Sequence, residues 1–163
     1  MESKTKLLGH PIHPMLIVLP LGLFIAAVVF DAVYLWGGSP AFATAAYWNI
    51  AAGIVGGLLA AVFGAIDWFA IPAGTRAKRI GLLHGGSNVV VVLIFAFVWV
   101  MRGNTPDATP TTNLFLLEVV GLALGSVAGW LGGELVDRLG VGVDDGAHLD
   151  APSSLSGRPA RQK

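Results

Sequence analysis

Four apolar runs, each about as long as a bilayer is thick, constrain this chain more than any other feature. A spanning helix needs about 20 predominantly apolar residues, and residues 15–36, 45–69, 80–101 and 114–139 each qualify. The breaks between them, "GGSP", "IPAGTRAKR" and "RGNTPDATPTTN", carry glycine and proline turn chemistry and are short, so consecutive helices should pack antiparallel. Charge agrees with that reading. Ten basic and ten acidic residues among 163 cannot cover a water-soluble globule of this size, and the mean hydropathy is +0.73. The sequence therefore predicts an all-α fold, an integral membrane four-helix bundle running up-down-up-down over residues 1–143. A polar tail, 144–163, follows and is expected to be disordered.

Lys and Arg set the orientation. With four spans, Lys4, Lys6, Arg76, Lys78, Arg79, Arg138, Arg158, Arg161 and Lys163 share one side, and the other holds only Arg102. Positive charge stays inside, which places both termini in the cytoplasm of a cell whose inner membrane the chain crosses. A cleaved secretory leader is the competing reading, since two lysines precede an apolar run and "ATA" at residues 43–45 resembles a cleavage site. The run is longer than a signal core, and Asp31 and Trp36 intervene before that site.

Several function classes drop out. Zero net charge leaves no basic face for nucleic acid, and the absence of cysteine removes disulfides, iron–sulfur clusters and thiolate zinc sites. No serine stands with a base and an orienting group, and no phosphate-cradling glycine loop follows a strand. A binding or electron-transfer protein is expected rather than a hydrolase or transferase.

An ionisable group inside a span costs at least about 2.5 kcal/mol on insertion scales, so those present are informative. They fall in two layers. Asp31, Asn49 and Glu118 lie near the outer surface; His10, His13, Asp67, His84, Glu134 and Arg138 lie near the inner one. Glu134 and Arg138 are spaced to pair on one helix face. The stretch "HPIHP" should be an extended, polyproline-like rod, because a residue before proline avoids helical geometry, with Pro14 at the first helical position. In that geometry His10 and His13 project from one edge about 9 Å apart, too far to share one metal ion.

His84 is followed by Gly85, Gly86, Ser87 and Asn88. A histidine on one span facing a histidine on another, with small residues alongside, is what a membrane b-type haem requires. The expected ligands are His84 with His13 or His10, and Asp67 is expected to fix an imidazole tautomer from behind. Glycine stripes (Gly53, Gly57 and Ala61; Gly56, Ala60 and Gly64; Gly121, Gly125, Gly129 and Gly133) allow close helix approach. They predict packing of the second helix on the fourth, a homo-oligomer seam, or room for a flat cofactor. The helix centres are almost free of polar groups apart from Ser126, which counts against metal-ion or proton transport.

The pieces "GHPIHPML", "VFDAVYL", "GAIDW", "LLHGGSN" and "GWLGGELVDRLGVGV" resemble a bacterial family of small four-helix inner-membrane proteins of unknown function. The resemblance covers nearly all of the chain before the tail. Similar domains occur fused to Rieske-type iron–sulfur domains, which implies redox work and a separate electron-transfer partner for this chain. His10, His13, Asp67, His84, Asn88 and Glu134 match the family's polar motifs. The candidate metal ligands are His13 and His84, with a structural or assembly role lacking any cofactor as the alternative.

Overall fold

The computed structural model describes residues 1–160; Arg161 and Lys163, counted above among the inner-side charges, lie outside the described residues. Four helical segments are long and apolar enough to cross a membrane: Ile12–Leu35, Pro40–Ala70, Arg76–Arg102 and Pro106–Arg138. The first comprises α1 (Ile12–Leu16) and α2 (Val18–Leu35); the others are built on α3 (Pro40–Ala70), α4 (Arg76–Arg102) and α5 (Thr112–Gly133), which ends in a π-helical turn, Glu134–Arg138.

Local chemistry explains the boundaries. Ser39, Thr75 and Thr111 precede α3, α4 and α5, and their hydroxyls accept hydrogen bonds from the main-chain N–H groups of Ala41, Lys78 and Leu114. Pro40 occupies the first position of α3, where a missing N–H is harmless. The first span divides at Ile17 because Pro20 cannot donate to the carbonyl of Leu16.

The "HPIHP" rod is not what forms. Lys6–Leu7 (β1) pairs antiparallel with His10–Pro11 (β2), turned by Leu8 and Gly9 at positive φ. Helix begins at Ile12, so His13 lies inside the first turn while His10 stays outside it. Pro14 sits at a first-turn position whose N–H has no intrahelical acceptor, so helix tolerates it there.

Helix α2 packs mainly on α3 and α4 mainly on α5, with α3 against α4 joining the two hairpins. The core between them is Phe24, Ala27, Val28, Ala46, Ile50, Val91, Phe95 and Val98. Phe24 and Phe95 stack at 4.0 Å with their planes 1° apart. Large apolar side chains such as Val29, Leu58, Leu93 and Val120 face outward, as lipid contact requires.

The glycine stripes do not join the second helix to the fourth. A Cβ at Gly53 would stand 2.5 Å from Phe24, and one at Gly121 would stand 3.1 Å from Phe95. Gly64 and Gly132 likewise face His13 and His84 at 2.9 and 3.1 Å. These four glycines thus make room for rings from the neighbouring helix of their own hairpin, while Gly57 faces Val92 of the other hairpin.

Candidate functional site

Polar side chains gather at the two ends of the bundle. At the end where α2, α4 and the start of α5 meet, Arg102 bridges Asp31 and Glu118, all three with side chains wholly buried. Its Nη1 donates to Asp31 Oδ2 at 2.5 Å and Nη2 to Asp31 Oδ1 at 3.0 Å, a two-pronged pairing that suits the planar guanidinium. Nη1 also donates to Glu118 Oε1 at 3.2 Å, while Nη2 and Nε donate to the carbonyls of Ala43 and Ala108. Glu118 Oε2 is buried without a partner, as is Trp99 Nε1. Asn49, half-buried, takes no part.

In the sequence Arg102 stands only as the lone basic residue of the outer side; the structure makes it the wholly buried centre of the polar cluster there. The available signal was a lone cation directly after an apolar run, in the same layer as two acids inside spans. In hydrocarbon such a group needs partners.

At the opposite end the structure brings His13 and His84 together. Their ring centroids are 6.2 Å apart and their planes perpendicular, at 88°. His13 Nδ1 lies 2.8 Å from the carbonyl oxygen of Ala60, and His84 Nδ1 lies 2.8 Å from that of Ala128. A carbonyl can only accept, so each Nδ1 carries the hydrogen, and when the ring is neutral its lone pair lies on Nε2. Asn88 donates to the His84 carbonyl at 2.9 Å; its amide nitrogen is almost equidistant from His84 Nε2 and Nδ1, at 3.4 and 3.5 Å. That placement lies across the ring rather than along one nitrogen's lone pair.

The remaining candidates are held elsewhere. Asp67 does not orient an imidazole: it accepts from Ser3 Oγ and from the Lys4 main-chain N–H, both at 2.7 Å, and so anchors the N-terminal segment. Glu134 pairs with Arg76 at 2.6 Å rather than with Arg138, because the last turn is π-helical and the i, i+4 register is lost. His10 is exposed, and its ring lies 3.3 Å from the Leu8 carbonyl oxygen.

The N-terminal segment and the tail close over this end. Lys6 bonds both Glu2 and Asp144, and the Asp145 N–H donates to Glu2 Oε1 at 3.1 Å. The Lys6 hydrogen bond holds the Glu2 carboxyl below its ordinary value, and the bond to Asp144 raises the Lys6 ammonium above its own.

Among the described residues no group of three or more His, Asp or Glu side chains converges as a metal cage. Between the two polar ends lies the Phe24–Phe95 stack, and the hydroxyl of Ser126 is spent on the Leu122 carbonyl at 3.0 Å. Residues 9–145 match the family described as "Predicted membrane protein (DUF2231)". No match to a curated protein or to a solved structure was found.

Proposed function

The chain belongs to the DUF2231 family of predicted membrane proteins, and we propose that it is a cofactor-binding electron-transfer subunit in which His13 and His84 hold the iron of a b-type haem. The supporting observation is the imidazole pair. Two imidazoles on one metal ion at about 2.0 Å each have ring centres roughly 6 Å apart, and the observed separation is 6.2 Å. Two imidazoles are too few for a zinc-type site, which takes three or four protein ligands, whereas His13 and His84 alone would suffice to hold a b-type haem. When bound, haem supplies reversible one-electron transfer.

In this reading the chain's own groups orient the ligands. The Ala60 and Ala128 carbonyls fix both rings through Nδ1 and leave Nε2 available. Asp67 anchors the N-terminal segment by holding Ser3 and Lys4. His10, Asn88 and Glu134 are not ligands. The excess of Lys and Arg at the histidine end supports cytoplasmic termini. The electron partner would be a separate, Rieske-type protein.

The deciding experiment is the visible spectrum of protein purified from haem-replete cells, oxidised and dithionite-reduced. A reduced b-type α band, lost in His13→Ala and His84→Ala but kept in His10→Ala, is the expected result. A protein that stays colourless and takes up no haem on reconstitution overturns the proposal. That outcome favours a structural membrane protein without cofactor, a reading consistent with the buried Arg102–Asp31 clamp.

A further inference from the structure

The two hairpins carry matching rings, and opposite charges, at the same rungs. His13, Phe24 and Asp31 of the first span recur as His84, Phe95 and Arg102 of the third, each pair 71 residues apart. All three pairs meet in space: the imidazoles at 6.2 Å, the phenyl rings at 4.0 Å, and the carboxylate on the guanidinium. On the partner helices Gly53, Ala60 and Gly64 recur as Gly121, Ala128 and Gly132 with identical internal spacing. Their contacts recur as well. Gly53 and Gly121 lie against the phenylalanines, Ala60 and Ala128 accept from the histidines, and Gly64 and Gly132 lie against the same imidazoles.

Such agreement along about 18 residues of helix, some five turns, requires matched rotation and matched translation in both hairpins. A hydrogen bond from a side chain to a helical carbonyl also needs that carbonyl uncovered. The residue one turn further on normally covers it, and here that residue is glycine both times: a Cβ would collide with the His13 ring at Gly64, 2.9 Å away, and crowd the His84 ring at Gly132, 3.1 Å away.

We infer that the two hairpins are copies of one unit related by a two-fold axis along the bundle, and that the glycine-bared carbonyls of Ala60 and Ala128 are positioning groups that make His13 and His84 equivalent Nε2 ligands. A metal-centred ligand on that axis would be held by two like imidazoles. This last part rests on the haem reading; the matched tautomers do not.

The test uses the full chain labelled with 15N-histidine and free of metal. Nuclear magnetic resonance should show His13 and His84 both as neutral Nδ1–H tautomers, assigned by loss of each signal in His13→Ala and His84→Ala. Gly64→Ala should abolish the pattern for His13 alone and Gly132→Ala for His84 alone, with Gly57→Ala, equally crowded but remote from either ring, as the control. An Nε2–H tautomer at either histidine, or glycine variants that leave the pattern intact, overturns the inference. If a glycine variant fails to fold, the wild-type tautomers alone decide it. On haem-loaded protein, Gly64→Ala and Gly132→Ala should lower haem occupancy several-fold and to the same extent. Haem that binds while only one variant responds overturns the equivalence and leaves the haem reading standing. Protein that binds no haem overturns that reading, and the tautomers still decide this one.

Discussion

Arg102 holds Asp31 with two parallel hydrogen bonds, 2.5 and 3.0 Å long, in a setting from which both side chains are fully excluded from solvent. Glu118 joins the same guanidinium through one longer contact of 3.2 Å and leaves its second oxygen without a partner. The two acids are therefore unequal. Removing one member of a buried ion pair costs about 3–5 kcal/mol, since the other charge stays buried and unpaired.

Asp31→Asn should accordingly destabilise the bundle by about 3 kcal/mol or more. Glu118→Gln, which keeps one acceptor for Nη1, should cost only about 1 kcal/mol. Thermal unfolding of the two variants in matched detergent micelles checks the order. Equal losses would show that Arg102 depends on both acids alike.

The glycines should sort by what they face. Gly53→Ala pushes a methyl to 2.5 Å from Phe24 and should cost about 1–3 kcal/mol through overpacking of the aromatic stack. Gly121→Ala, at 3.1 Å from Phe95, should cost less, and Gly129→Ala, with nothing within 4 Å, should be silent. The same unfolding assay reads all three. A strong loss at Gly129 would point instead to a seam between copies of the chain.

The clasp between the N-terminal segment and the tail should depend on pH at both extremes. The folded value of Glu2 is depressed, chiefly by its hydrogen bond from Lys6, so its contribution is present above the ordinary carboxylate value and lost as pH falls through the depressed one. That of Lys6 is raised, chiefly by Asp144, so its contribution is present below the ordinary lysine value and lost as pH rises through the raised one. Hydrogen exchange at the Asp145 amide should thus accelerate, beyond its intrinsic pH dependence, in acid and in strong alkali. The helix cores should stay protected throughout. Exchange with only the intrinsic dependence would show that the clasp does not form in solution.

Because the chain contains no cysteine, single thiols report its orientation directly. Asn104→Cys and Ala73→Cys occupy exposed loops at the Arg102 and histidine ends, respectively. An impermeant maleimide added to intact cells should label the first and spare the second. The reverse pattern would invert the orientation drawn from Lys and Arg.

The number of spans, their approximate limits and the division of polar residues into two end layers were legible in the sequence. Each depends on the cost of putting a residue type into hydrocarbon, and that cost accumulates along the chain wherever a helix later packs. The pairings depend on something else. That His13 rather than His10 meets His84 follows from a two-stranded turn placing Ile12, and not Pro14, at the start of helix. That Arg102 enters the core, that Asp67 serves the N-terminal segment, and that Gly53, Gly64, Gly121 and Gly132 receive rings of their own hairpin all follow from how each helix is rotated against its neighbours. Rotation is fixed by contacts between residues far apart in sequence, so composition and spacing set the membrane bundle, while tertiary packing alone decided which polar groups face one another inside it.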